Sequence, residues 1–555
     1  MESYIRFFIS FVLLLSPLFS QTKTIDRQFV PMIHQILNET QLYGLNVEEW
    51  SAFRYHRDAD TWSAIPFQFD QMDDRGEPDE EADGLLDATD ELVVMPEDLG
   101  DQAETWAWID DAESKVHHRF ELEMADPLNP DKKGWLYLFR RAPGNVPGYM
   151  TYIPGPTTTP AADTISTHSF KLGHDANGWI DYMSFHQGLN LFDRFKLRLA
   201  GNSFLVPAYE INEDFVKGTS DPTQVTFTKG PVRSFHETAA VILIEKLNLP
   251  LLPDEAKFDY KFDYTPYTFH IYAKAEDLDS GLLVLFGVKT VRQSLDFNSN
   301  AKQMLFYSDD NRNGIVIDGI SDSPTLDFSE SSERNWVMAT GDQGTVIVFF
   351  AVSLRRNLKK VLYYRDNSDG GGSNDGTQDT GDMRSFGDMG LLIQATGDAL
   401  LPPEDEKLWV DYKGYFIDQP NMDASIAEQL SLWEDNQLSI SLSTQTYDAS
   451  FVAENQSSPG EFHLLAAYPN PYPNSKASGL NFRISGRITE TYDLEVYNIL
   501  GQRVAVFSQL TTPNSGILEI HWDGKDLSGE TLTPGIYLYR LTNGLYAETK
   551  KLVIQ

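Results

Sequence analysis

Tyr468-Pro469-Asn470-Pro471-Tyr472-Pro473-Asn474 and Tyr492-Asp493-Leu494-Glu495-Val496-Tyr497-Asn498-Ile499-Leu500-Gly501-Gln502 decide how the end of this chain folds. Leu494 to Asn498 alternates with the two-residue period of a half-buried strand. Asn498 to Gln502 makes a turn, and Gln502 to Val506 returns as the second strand of a hairpin. Further on stand Trp522-Asp523-Gly524-Lys525-Asp526 and Thr533-Pro534-Gly535-Ile536-Tyr537-Leu538-Tyr539-Arg540-Leu541. Pro534-Gly535 sets up an aromatic final hairpin with Asn543-Gly544 at its tip. These residues alone specify a small β-sandwich.

Working outward, charge marks where this module begins. From Tyr468 on there are eight acidic and eight basic residues, while the whole 555-residue chain carries a net charge of −38. The excess acid therefore lies upstream, which sets a boundary near 460. Residues 441–467, with Ser457-Ser458-Pro459-Gly460, read as a linker. So strong an acidic balance argues against nucleic acid as a partner, because phosphate needs Lys and Arg. It suits solubility or hard cations held by oxygen ligands. Cysteine is absent. That excludes disulfides, thiolate metal sites and Cys nucleophiles. Calcium is a common brace for long loops in an exported protein without disulfides.

At the other end, Arg6 precedes the apolar run Phe7 to Leu18, which closes with Phe19-Ser20-Gln21. The run is shorter than the roughly 20 residues a spanning helix needs. It reads as a secretory signal peptide, residues 1–20, cleaved after Ser20. No other stretch reads as transmembrane.

Residues 21–440 read as one large acidic β-rich domain; two packed subdomains breaking near 150 fit as well. Gly134-Trp135-Leu136-Tyr137-Leu138-Phe139, Tyr267 to Tyr272 and Gly344-Thr345-Val346-Ile347-Val348-Phe349-Phe350 are strand-like runs punctuated by Gly, Pro, Asn and Asp. Thr238 to Leu247 fits a helix or a buried strand, and Ser425 to Trp433 fits a short helix. The expected fold class is mainly β, with a large antiparallel β-sandwich core followed by a small sandwich.

Three acidic loops stand out. Asp70 to Glu91 holds eleven carboxylates and one arginine, a density that repels itself open unless a cation neutralises it. It is either a solvated loop or a cation site drawn from Asp70, Asp73, Asp87 and Asp90. In Asp309 to Gly319, Asp309, Asn311 and Asn313 alternate before Gly314, like the opening of a calcium loop, with Asp318 to help complete a cage. Ile320 stands where such a loop carries its bidentate acid, so an Asn/Gly turn is the other reading. Asp366 to Asp382 interleaves five aspartates with five glycines. Asp366, Asp369, Asp375 and Asp379 are its candidate calcium ligands, and a low-complexity surface loop is the alternative.

Catalytic signatures are missing: neither His-Glu-x-x-His, Gly-x-Ser-x-Gly nor a phosphate loop occurs. His168, His174 and His186 lie near Asp175 and Asp181 and are the histidines closest to forming a cleft. Trp106, Trp108, Trp135 and Trp179 fit sugar stacking or core positions.

The carboxy-terminal motifs, Tyr468-Pro469-Asn470-Pro471, Val496 to Gln502, Trp522-Asp523-Gly524 and Pro534 to Arg540, resemble the type A C-terminal sorting domain of the type IX secretion system of Bacteroidota. The resemblance covers residues 468–555. It implies an immunoglobulin-like sandwich of about seven strands, recognised by the outer-membrane secretion machinery and often cleaved after translocation. Lys550 and Lys551 match its usual basic end. Lys229-Gly230-Pro231-Val232-Arg233 is similar to a turn in galactose-mutarotase-like sandwich proteins, many of which bind or process carbohydrate. Ile65-Pro66-Phe67-Gln68 with Gly84 to Leu92 resembles uncharacterised secreted bacterial proteins.

The expectation is a secreted or cell-surface β-sandwich protein, calcium-stabilised, that meets extracellular glycans or other polymers. A secreted carbohydrate hydrolase or lyase and a structural surface protein are the alternatives. Two carboxylates, or a His with Tyr or Arg, in a cleft would favour the enzyme; an aromatic-lined surface would favour binding.

Overall fold

The structure is a computed structural model. It describes residues 21–447 and 462–555 except 80, 145, 157, 159–161, 177, 186–187, 203–206, 219–224, 248–254, 275–286, 329–334, 353–357, 372–374, 376, 398–408, 466, 474–478, 487–490, 511–516 and 543–546. The expected signal peptide lies outside the described residues. The chain falls into two compact units, Met1–Tyr447 and Asp448–Gln555.

The first unit is built on antiparallel sheets. The largest runs from Val216–Gly218 through Ser234–Leu243, Glu255–Tyr264, Thr268–Lys274, Trp409–Ile417, Gly344–Val352, Asn335–Gly341 and Leu305–Ser308 to Ile315–Val316, with Val225–Thr228 paired to Ser234–Leu243. Both faces are covered at Asn335–Gly341 and Gly344–Val352, so these two strands are buried along their length. Val346, Val348 and Phe350 enter one core, while Ile347 and Phe349 enter another on the opposite face. The second core also takes Ala427 and Leu430 of the helix Ser425–Asp435. Thr238 to Leu243 is strand, and Ile244–Leu247 is a single 3-10 turn.

A three-stranded sheet, Met32–Gln35, Glu91–Val94 and Gln68–Asp70, joins two cores by the same alternation. Leu92 and Val94 pack with Leu122, Leu136 and Leu138. Val93 and the following Met95 pack with Trp336, Ile347 and Tyr415. Successive side chains of a strand point to opposite faces, so one four-residue run serves two layers.

A five-stranded sheet orders Ser439–Thr446, His118–Asp126, Asn129–Arg140, Trp50–His56 and Thr61–Ile65. Ser439–Thr446 pairs residue for residue with the strand ending at Asp126. The stretch expected as linker from 441 thus begins inside a strand of the body; residues 448–461 lie outside the described residues. Its pattern of alternating Ser, Thr and Gln with Ile and Leu is that of an edge strand, and its polar residues suggested a linker.

Another five-stranded sheet orders Tyr209–Asn212, Phe192–Gly201, Val288–Phe297, Ser385–Ala395 and Leu358–Asn367. The Asp/Gly loop connects its last two strands in sequence.

The second unit has seven described strands, three in one sheet and four in the other. Its core holds Leu464, Tyr472, Leu480, Phe482, Leu494, Val496, Trp522, Tyr539 and Leu552. Asn498 closes the expected turn: its Oδ1 accepts from the Leu500 and Gln502 N–H groups, each at 3.0 Å. Gly501 takes φ +76° there, a conformation that favours glycine.

Candidate functional site

The two short motifs of the body meet. Gln68 Oε1 accepts from the N–H groups of Val232 and Arg233, both at 2.8 Å, and Gln68 Nε2 donates to the Arg233 carbonyl at 3.0 Å. Gly230 lies so close that a Cβ there would collide with Gln68 and with the Arg233 carbonyl. Behind the turn, Tyr149 N–H donates to the Pro231 carbonyl at 2.7 Å, and a Cβ on Gly148 would sit 2.5 Å from Pro231 Cα.

This junction forms one side of an open groove of about 800 Å³. Trp50, Pro66, Phe67, Pro143 and Pro231 line it, and Glu48 supplies the one carboxylate among the described lining residues. Trp50 is buried against Phe120, and its indole Nε1 has no hydrogen-bond partner. Neighbouring Glu49 is engaged by Arg141 and Arg140, which hold its carboxyl below the usual range. The volume falls within the range of ligand-sized clefts.

The acidic loops are closed by arginines and backbone N–H groups. Asp70 is buried 3.1 Å from Arg233 Nε, and Glu91 lies 2.7 Å from Arg233 Nη2. Burial pushes Asp70 up to about 6, against the pull of Arg233. Asp90 is buried and accepts from Met72 and Asp87 N–H; burial pushes it, too, up to about 6. Asp73 caps Arg75 and Glu77, and Asp87 caps Thr89. These four candidates do not gather into one cluster.

In the second loop Asp309 pairs with Arg312, which also reaches Glu428 on the helix. Asn311 Nδ2 donates to Ser308 Oγ and the Thr325 carbonyl, both at 2.7 Å. Asn313 is exposed in the turn. Asp318 caps Ile320. The structure does join this loop to the third. Asp366 accepts from the N–H groups of Asp318, Gly319 and Gly387 at 2.7, 2.8 and 3.1 Å.

The third loop lies on the outer face of its sheet, over buried cations. Arg292 is fully buried; its guanidinium pairs with Asp375 at 2.6 Å and with Asp379, and meets Tyr363 Oη at 3.0 Å. Asp379 also pairs with Arg365 and lies 3.7 Å from buried Arg198. Asp369 stays exposed. Among the described residues, one grouping of acids has metal-ligand spacing: Asp193, Asp296 and Asp382. The sequence did not single it out, because its members come from two strands and a loop end.

Of the three histidines that drew attention, His174 enters a polar network, His168 packs edge-on to Tyr149 and Tyr267, and His186 lies outside the described residues. His174 Nδ1 pairs with Asp163, its Nε2 lies 3.3 Å from Tyr264 Oη, and His236 Nδ1 lies 3.3 Å from Asp163 Oδ2. Burial acts upward on Asp163, but His174 and His236 hold it below the usual carboxylate range. All four residues are buried. Of the tryptophans, Trp135 is core and Trp106 is 37% exposed.

Taken together, the molecule is a mainly β, disulfide-free acidic body followed by a separate seven-strand module. Residues 466–555 match the family model described as the secretion system C-terminal sorting domain. That module is a type IX sorting domain, and it directs the chain across the outer membrane, to the cell surface or the medium. Its partner is the type IX secretion machinery. No curated protein matches the chain. Among solved structures, the chain is similar to dimeric latent PorU from Porphyromonas gingivalis at 11% identity, covering 75% of this chain and 35% of that one, with a TM-score of 0.15. It is similar to PorZ, an essential bacterial surface component of the type-IX secretion system of the same organism, at 8% identity, covering 73% and 51%, with a TM-score of 0.14. Native E. coli alpha-2-macroglobulin matches at 9% identity, covering 91% and 35%, with a TM-score of 0.14. The chain thus spans about a third to a half of the length of these structures.

Proposed function

We propose that the body is a surface-displayed binding module for extracellular glycans, braced by calcium, and that the groove beside Gln68 and Pro231 is its ligand site. The observation that carries this reading is the groove itself: Pro66, Phe67, Pro143 and Pro231 line it where the two body motifs are fastened together. Aromatic and proline faces stack against the apolar faces of sugar rings, and a few polar groups fix orientation. Glu48 is the one carboxylate among the described lining residues, which favours binding over hydrolysis by a pair of acids flanking the scissile bond.

The test is retention of the full chain on a panel of insoluble and soluble polysaccharides, compared with Phe67→Ala. Phe67 is half-buried and also packs against the core that holds Trp50, so melting is followed beside binding. At least a fivefold loss of affinity is expected, measured below the melting temperature of the variant. Undiminished binding by the variant, or no polysaccharide bound by the parent, overturns the reading.

A further inference from the structure

The two sheets of the sorting module present different outer faces. The three-stranded sheet, Phe462–Leu464, Leu480–Gly486 and Ile517–Trp522, is polar outside. There Arg483 Nε lies 4.0 Å from Glu519, and His521 Nδ1 lies 2.9 Å from Asn481 Oδ1, so polar groups of that face answer one another. The four-stranded sheet is ordered Arg503–Leu510, Tyr492–Asn498, Gly535–Thr542 and Ala547–Ile554. Along Gly535–Thr542, Tyr537, Tyr539 and Leu541 enter the core, and Ile536, Leu538 and Arg540 face out. Ile536 is 47% exposed and Leu538 42%. Register sets Leu538 between Tyr497 and Lys551, and Ile536 beside Val553. Asn498 pairs with Tyr537, so the turn that follows it stands at the Ile536 end of the sheet. Its Ile499 and Leu500 are 75% and 78% exposed.

The turn closes without those two side chains, through Asn498 Oδ1 and Gly501. Four exposed aliphatic side chains gathered at one end of a sheet mark a surface that a partner covers. Charge indicates the kind of partner. Arg540 and Lys551 are exposed on the same face. Glu495, which stands across the strands from Arg540, is engaged by Arg503 and by the Tyr497 hydroxyl, both at 2.6 Å. The patch therefore carries surplus positive charge beside its apolar centre. It is complementary to an apolar protein surface edged with carboxylates.

We propose that this face, with Ile499, Leu500, Ile536 and Leu538 at its centre and Arg540 and Lys551 at its rim, is where the type IX secretion machinery grips the module. That machinery is the partner the module's family supplies. The outer face of the other sheet is closed by its own polar pairs, and the free side of the last strand is held by Asn470 and Tyr472. The inference rests on the module's sorting role and is independent of the groove in the body.

The experiment expresses the full chain in cells that carry a type IX system and follows it by fractionation. Leu538→Glu and Leu500→Glu should each lower the surface and medium fraction at least tenfold, with the chain held in the periplasm. Leu527→Glu, the same change at a leucine 63% exposed in the turn after Trp522, should be exported like the parent. Melting of each purified chain is measured alongside; if Leu538→Glu melts early, Leu500→Glu decides, because its side chain stands in solvent at a turn. Export of Leu500→Glu at the parent level overturns the proposal, and so does an equal loss in Leu527→Glu. Sedimentation of the parent with phosphatidylglycerol vesicles, abolished in Leu500→Glu, would assign the face to lipid and overturn it as well. A chain lacking the module tests the sorting role separately: if that chain is retained while the face variants are exported, only the assignment of the face fails.

Discussion

At the scale of the residue, Gln68 shows how one side chain can fasten two distant segments. It satisfies two backbone N–H groups and a carbonyl of the 230–233 turn in a buried position. Gly230→Ala forces a methyl group into that contact, and overpacking of this kind costs about 1–3 kcal/mol. A lower urea midpoint is expected; an unchanged one counts against the staple. His236 gives a pH signature. Burial pushes its imidazole down from 6.5 to about 4; Asp163 acts upward and His174 downward. The unfolded chain therefore takes up a proton below pH 6.5 that the folded chain refuses until about pH 4. Stability from this group is full above pH 6.5 and falls toward pH 4, by at most about 1.4 kcal/mol per pH unit. Asp70 acts in the opposite sense. Its folded value near 6 exceeds the ordinary 3.8, so its burial penalty is relieved as the pH falls through that window. His236→Gln removes the first effect and leaves Asp70 untouched. Relative to the parent it should gain stability from pH 6.5 to 4.5, read as denaturation midpoints; a constant difference across that range rejects the assignment.

At the scale of the element, alternation was legible and charge partnership was not. Gly344 to Phe350 announced a buried strand, because an apolar run bounded by turn residues needs two covered faces. For the Asp/Gly loop the sequence offered calcium ligands or a low-complexity surface loop, and the partners of its carboxylates were not legible. Arg198, Arg292 and Arg365 reach the loop through sheet pairing, from positions that local spacing leaves unconnected. The same holds for Asp163 and His236, which meet His174 only in the fold. Arg292→Met strands Asp375 and Asp379 beside an apolar chain. Breaking one side of a buried pair typically costs about 3–5 kcal/mol. Urea unfolding should show a loss of that order; a loss near zero would mean the loop is dispensable to the sheet.

At the scale of the whole molecule, the final module could be identified from its motifs because their spacing is that of successive turns, each with local chemistry. The body has no such punctuation, and its groove is assembled from segments near positions 50, 66, 143 and 231. The two units keep separate hydrophobic cores. A chain ending at Tyr447 should therefore fold and melt cooperatively, yet fail to leave the periplasm, as cell fractionation would show. Export of that truncated chain would contradict the role of the module.

The Tyr-Pro-Asn-Pro-Tyr segment also has a mechanical consequence. The last strand, Ala547–Ile554, is an edge strand paired with Gly535–Thr542, but its free side is not bare. Tyr472 N–H donates to the Val553 carbonyl at 2.7 Å, Gln555 N–H donates to the Tyr472 carbonyl at 2.8 Å, and Asn470 Oδ1 accepts from Val553 N–H at 2.9 Å. A pull on Gln555 thus meets a grip on both sides before the hairpin can unzip pair by pair. Asn470 and Tyr472 thus make the end of the last strand the part of that edge that must be freed first.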